Sequence, residues 1–593
     1  MNERTAGQIL AAVVGIALVV APLYLTGLHQ PFHYDDIHSI VDNPHVRSLG
    51  NIPAFFSDSS LFAEDPKNAM YRPLVLVSYA FNHALSEYRT WSYHGFNILL
   101  HILNSSLVFA LIRVTGGRPV VAFLGGLVFG LHPLNSEAVN YISSRSETLC
   151  AFFFAFSFYS FLRWRLQAEW ICYAGAILCF IGALLAKSVG IMLPAVILLY
   201  EVIYAENVRA RLRAIWPLHV PFWALAALYF IFMKRFVETA VVQQPVRSLD
   251  VQLWTQGKAL IQYAQLLFLP QGLNIEHQFR LGGDLSEPAV LAAFLLLATI
   301  GVFFLLSPLS KEVLFWSGWS LIILLPTLVV PLNVLINEHR LYLPMMAFAV
   351  YLGHIMGWLW RHYGFWGAAI CLAWIASYGI LTFQRVQIWE TPERLWADSL
   401  EKAPLMPLPH VLAGDHHKAA GDNEAALRQY YQALQVYPAV LSGGMQVVTY
   451  NNIGSTYLAL GRNREAIDAY KKALAIDSSY SKAKDSLDAL LAVEKEEEKE
   501  NPQAKKLRKL GLNLLILGKL EDAIQHFIKS LEIQRSPETY RALALAYERI
   551  ENWQAALDIY ETLHMISAAD SDLRENADKA LRSLRLKLKK TTE

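Results

Sequence analysis

Residues 33 to 47 read HYDDIHSIVDNPHVR, with two adjacent carboxylates, Asp35 and Asp36, among His33, His38, Asn43 and His45. They follow a first apolar run, Ile9 to Leu25, by about ten residues. A carboxylate held beside a hydroxyl can serve as a general base. A second set of residues suits a phosphate: Arg72, Arg145, Lys187 and Arg340, with His339 beside the last. Arginine grips phosphate oxygens two at a time, and lysine acts as a compact point charge. A base beside a phosphate clamp at a bilayer surface suits transfer from a lipid-phosphate donor, whose tail stays in the membrane while its head group reaches the acids.

Other polar residues accompany these. His94, Asn97, His101 and Asn104 recur every three or four residues, one polar stripe on an apolar helix. GLHPLNSEAVNYISSRSE supplies His132, Glu137, Asn140 and Glu147, and NEHRLYLP supplies Glu338. Each has a plainer reading. The histidines and asparagines serve equally as helix–helix hydrogen bonds, Lys187 as a snorkelling end residue, and the aspartates as a solvated turn. His33, Asp35, Asp36 and His38 match no strong metal-ligand spacing, so no metal is assigned.

The elements that must position these groups are mostly apolar. The chain has 593 residues, 54% hydrophobic and 17% charged, against about 25% charged in soluble proteins. The deficit falls on residues 9–382, whereas charges are frequent from Arg385 onward. The expected organisation is all-α, with a polytopic membrane domain over 1–384 and a soluble one over 385–593. A membrane helix needs roughly 20 mostly apolar residues. Spans are expected near 8–27, 95–113, 119–134, 147–163, 170–186, 189–205, 215–233, 287–307, 312–331, 341–360 and 364–382. Segment 256–270, with Lys258 and three glutamines, suits an amphipathic or re-entrant helix better.

About eleven spans with a cytoplasmic N-terminus put Arg113, Arg118, Arg163, Arg165, Arg209, Arg211, Arg213, Lys311 and Arg361 inside, as the positive-inside bias requires. The 28–72 loop, the NEHR loop and the C-terminal domain then share the extracytoplasmic side. Past residue 407, small residues and aromatics recur with a period near 34. The copies are Gly414, Ala426, Tyr430, Ala433, Pro438; Gly454, Tyr457, Ala466, Tyr470, Ala473; Gly511, Ala523, Phe527; and Ala544, Tyr547, Ala556, Tyr560. This is the tetratricopeptide pattern, in about four copies, and such an α-solenoid offers a concave surface to peptides or proteins. EKEEEKENPQAKK (494–506) interrupts it as a solvated extension or hinge. Net charge is +1, averaged over two unlike halves; nothing points to nucleic acid.

HYDDIHSIVDNPHVR, YRPLVLVSYAFNHAL, YHGFNILLHILNS, GLHPLNSEAVNYISSRSETLCAFFF, LLAKSVGIMLPAVILLYE and EHRLYLP together resemble the transmembrane and tetratricopeptide repeat O-mannosyltransferases and their prokaryotic relatives, within the GT-C class. The resemblance spans essentially the whole chain. It implies an integral membrane, inverting glycosyltransferase that moves mannose or another hexose from a polyprenyl- or dolichyl-phosphate donor to a Ser or Thr hydroxyl of a protein. One of Asp35 and Asp36 is then the base. Glu338, Arg340, Tyr342, Leu343 and Pro344 fall on the family's E-R-Y-L-P element, with His339 inserted. The class includes metal-dependent and metal-independent members, so a divalent metal stays open. The low repeat number points to a bacterial or archaeal cell membrane. Two other classes compete: a lipid transporter, which would carry charges at the bilayer midplane, and a non-catalytic scaffold for envelope or secretion assembly, in which the repeats do the work.

Overall fold

The computed structural model describes the backbone of residues 3–64, 69–241, 247–331, 334–436, 443–499, 501–566 and 571–592. Pro438, of the first repeat, lies outside them. The described chain is helical with short 3-10 turns, and its contacts divide it into two compact units, 1–452 and 453–593.

Within the first unit every expected span is helical. Among the described residues, six helices are long and apolar enough to cross a membrane: Gly7–Leu25, Trp91–Val114, Val208–Lys234, Pro288–Leu306, Lys311–Val329 and Met345–Ile388. The last has 44 residues, about twice a bilayer's requirement. Gly364 interrupts it with φ +52°, at the start of the second of the two spans expected there. Pro119–Leu131 is short and bends by 49° into Pro133–Asn140. Trp170–Ala186 and Ser188–Tyr204 are also shorter than a full span. Arg145–Gln167 is long enough but has Arg145 and Glu147 at its start and Arg163 and Arg165 near its end. The chain is therefore a multi-pass membrane protein with several uneven or bent segments.

The doubtful segment is a helix, Leu249–Phe268. Gln252, Thr255 and Gln256 are buried, while Leu249, Leu253 and Phe268 are exposed. Gln252 donates to the carbonyls of Thr327 and Val330, and Gln256 to that of Leu335. Ala259, Tyr263 and Leu266 are buried with these polar residues, and Gln265 is exposed.

The polar stripe on Trp91–Val114 serves packing. Asn104 donates to the Thr148 carbonyl at 2.9 Å, and one ring nitrogen of His101 lies 2.8 Å from the Tyr342 hydroxyl. The first unit continues through Pro392–Lys402 and the helix pair Pro407–Ala419 and Asn423–Gln435.

The tetratricopeptide packing is visible atom by atom. A Cβ at Gly414 would stand 2.6 Å from Tyr430; at Gly454, 2.7 Å from Tyr470; at Gly511, 2.7 Å from Phe527. Each small residue lets its partner ring lie against the opposite helix. Gly454→Val should therefore destabilise the second unit by about 1–3 kcal/mol through overpacking. Gly444→Ala, with nothing within 4 Å, should be neutral or slightly stabilising. Thermal unfolding of the purified full chain measures both.

Candidate functional site

Asn43 shapes the first loop. Its side chain accepts from His45 N at 2.9 Å, capping the short turn Pro44–Arg47, and donates to the Leu61 and Phe62 carbonyls at 3.1 Å. The DNP motif thus folds the loop back on itself and fixes the turn that carries the aspartates.

Asp35 and Asp36 have opposite surroundings. Asp36 is fully buried. Its Oδ1 accepts from Ser143 N at 2.7 Å and Ser143 Oγ at 2.5 Å, and its Oδ2 from His33 N at 2.9 Å. Burial nonetheless pushes its carboxyl up to about 7, with the His33 and Ser143 hydrogen bonds opposing the rise. The Asp35 side chain is 44% exposed, and its Oδ1 lies 3.3 Å from His38 Nε2. Its backbone N–H donates to the Tyr141 hydroxyl at 3.0 Å. Preceding it, Tyr34 has φ +42°, a left-handed conformation costing on the order of 1–3 kcal/mol for such a side chain. His33, pushed down to about 4 by burial, is neutral and bonds the Trp389 carbonyl through Nε2 at 2.9 Å.

Segment 141–147 connects this pair to the cations. Arg72 donates to Ser146 Oγ at 3.2 Å. Lys187 pairs with Glu147, and His339 Nε2 lies 3.7 Å from the same carboxylate. His339 Nδ1 is 2.7 Å from Glu137 Oε1. Burial pushes His339 down to about 3, so the neutral ring donates to Glu137. Arg72, Lys187 and His339 therefore gather around Glu147. Glu338 accepts from Asn274 N at 2.5 Å and lies 3.0 Å from His277 Nε2. Arg340 caps the Val334 and Leu335 carbonyls.

Three of the residues expected at the site stand elsewhere. Arg145 is fully buried and turned inward, bonded to Asn97, Ser78, Asn82 and the Tyr93 carbonyl, with the Tyr79 and Phe96 rings over its guanidinium. It holds helices together and presents nothing to a phosphate. His94 bonds the Gln30 carbonyl, and His132 the Leu267 carbonyl. Sequence reasoning did not single out Tyr141, Ser143, Ser146, Asn274, Glu276 or His277. Among the described residues, no group of three or more His, Cys, Asp and Glu is arranged to hold a metal ion.

Ser143 holds Asp36 down from above its ordinary range, so Ser143→Ala should raise the Asp36 midpoint beyond about 7. An Asp whose folded value exceeds its unfolded one contributes stability below the unfolded value, and loses it as pH rises through the folded one. The Asp36 share of stability should then fall between about pH 4 and 7. Infrared titration of the protonated carboxyl band checks the midpoint: it should shift upward in Ser143→Ala and vanish in Asp36→Asn.

Tetratricopeptide repeat models match residues 408–479 and 539–565. The chain is 25% identical over 512 residues to the Protein O-mannosyl-transferase TMTC3 of Homo sapiens, covering 77% of this chain and 54% of that protein. It is 31% identical over 212 residues to the Protein O-mannosyl-transferase TMTC2 of Homo sapiens, covering 34% and 25%. The chain spans about half the length of this TMTC3 relative. ArnT from Cupriavidus metallidurans, solved with undecaprenyl phosphate, aligns over 78% of this chain and 79% of its own at 13% identity and TM-score 0.37, too slight a likeness to carry an argument. The chain is thus homologous to proteins named protein O-mannosyl-transferases, and its own C-terminal part carries tetratricopeptide repeats.

Proposed function

We propose that the chain is a membrane glycosyltransferase that moves a hexose from a polyprenyl- or dolichyl-phosphate donor to a Ser or Thr hydroxyl of a protein on the extracytoplasmic side. The observation that carries this reading is the split environment of the aspartate pair. Asp36 is buried and held by three donors, whereas Asp35, fixed beside it, is half exposed. A structural acid thus presents a reactive one.

Asp35 takes the proton of the acceptor hydroxyl. The oxygen attacks C1 of the sugar, the bond from C1 to the phosphate oxygen breaks, and the phosphate leaves with both electrons and with its lipid. Configuration at C1 inverts. Arg72 and Lys187, gathered near Glu147, offset the charge that grows on the phosphate. A phosphate is already a good leaving group, so no strong general acid is required. The repeats present the protein acceptor, in keeping with their use as peptide-binding surfaces. The homologues' name, protein O-mannosyl-transferase, supports mannose as the first sugar to try.

The test is transfer of labelled mannose from polyprenyl-phosphate mannose to a Ser/Thr peptide by the full chain in lipid nanodiscs. Asp35→Asn should lower the rate by about 100-fold or more, in the range ascribed to a positioned base. Lys187→Ala should weaken both rate and donor use. Undiminished transfer in Asp35→Asn would remove the base from the scheme, and no transfer by the wild type would favour an assembly scaffold.

A further inference from the structure

Beside the aspartates and the Arg72–Lys187 side stand three carboxyls that the transfer scheme does not use. Glu276 lies between the helices Leu249–Phe268 and Pro288–Leu306 and is 8% exposed. Its segment is tied down on both flanks: Asn274 and His277 reach Glu338, and Lys402 donates to the Leu273 carbonyl at 2.9 Å. Yet among the described residues nothing gives the Glu276 carboxyl a hydrogen bond or an ion pair.

Glu137 and Glu338 repeat the pattern. The Oε1 of each is bonded, while the Oε2 of each is buried without a partner. Glu137 is close enough to both Glu276 and Glu338 to feel their charge, and Arg340 faces Glu276. Carboxyls from three separate segments therefore lie near one another, two of them with a buried oxygen that the protein leaves unsatisfied. An unpartnered buried polar group costs on the order of 1–3 kcal/mol, so such a group needs an explanation.

The chemistry of these carboxyls limits what can meet them. An anion would add charge beside three carboxyls. Several O–H donors on a small neutral frame do fit, because a carboxyl accepts from hydroxyls when ionised and also donates when protonated. Burial pushes Glu276 up to about 8, with Glu137 adding to the rise, so it offers both modes near neutrality. The location agrees: Glu137 bonds His339, which in turn approaches Glu147 and its partner Lys187.

We infer that Glu276, with the free oxygens of Glu137 and Glu338, forms the subsite for the hydroxyls of a neutral hexose carried on the lipid phosphate. This rests on the transfer reading and goes further, since it names the residues that read the sugar and predicts rejection of a uronate.

The full-length protein in nanodiscs is titrated with polyprenyl phosphate, polyprenyl-phosphate mannose and polyprenyl-phosphate glucuronate. The wild type should bind the mannose lipid about tenfold more tightly than the bare lipid, and the glucuronate lipid no more tightly than the bare one. Glu276→Leu should abolish the preference and leave bare-lipid affinity in place, while Glu276→Gln, which still donates and accepts, should keep most of it. A preference that survives Glu276→Leu overturns the subsite, as does equal binding of mannose and glucuronate lipids by the wild type, which needs no variant to fold. If the wild type binds all three lipids alike, the subsite falls while the transfer reading stands. If it binds none, both fall.

Discussion

The grip of Ser143 on Asp36 is the interaction on which the rest of the site depends. It joins the first loop to segment 141–147, more than a hundred residues later, through two donors on one carboxylate oxygen. An acid at zero exposure is tolerated only because donors surround it, and it is costly to strip of them. From that junction, 141–147 distributes every other part. Tyr141 takes the Asp35 amide and stacks on Trp389 at 5.7 Å. Ser146 takes Arg72, and Glu147 takes Lys187 and approaches His339. A 3-10 turn running into the first turn of a helix points successive side chains in different directions, so seven residues can serve several neighbours at once.

Arg145, in the middle of that segment, anchors it from the opposite side. Its guanidinium is bonded to Asn97, Ser78, Asn82 and a backbone carbonyl, and three aromatic rings lie within 6 Å of it. In an apolar setting a charge this deep persists only when its donors are satisfied. The arrangement gives the site a rigid base built on helices, which is what a constellation needs if its geometry is to hold. The asparagines of the Trp91–Val114 stripe belong to this supporting layer: Asn97 binds Arg145, and Asn104 binds the next turn of the same helix.

Much of this was legible in the chain. The repeats could be read because each glycine repeats the same need, room for an aromatic ring from the facing helix, and that need imposes a fixed spacing. The apolar runs fixed helix positions but not their lengths or bends: Gly364 and the 49° break after Leu131 arise from local backbone geometry that hydropathy does not register. Charge type singled out Asp35, Asp36, Lys187 and His339, which the structure places around segment 141–147. It could not tell an inward arginine from an outward one, because Arg145 and Arg72 differ only in their neighbours. Ser143 and Asn274 escaped notice for a related reason: single polar residues in short connections carry no periodicity, and their weight comes from partners distant in sequence.

The aspartate doublet also shows how adjacency in sequence can produce opposite surroundings. Both residues belong to one turn, and consecutive side chains on a helical turn diverge by about 100°. The left-handed Tyr34 sets the turn's entry, its ring edge-on to Trp396 at 6.2 Å. His33, one residue earlier, is fixed by the Trp389 carbonyl and sends its amide to Asp36. With the entry pinned and both Ser143 donors taken by Asp36, Asp35 meets His38 Nε2 at 3.3 Å. Its half-exposed carboxylate is therefore a consequence of its neighbour's burial. A pair of acids is needed for this, since a lone acid at that position would take the buried donors itself and leave none facing out.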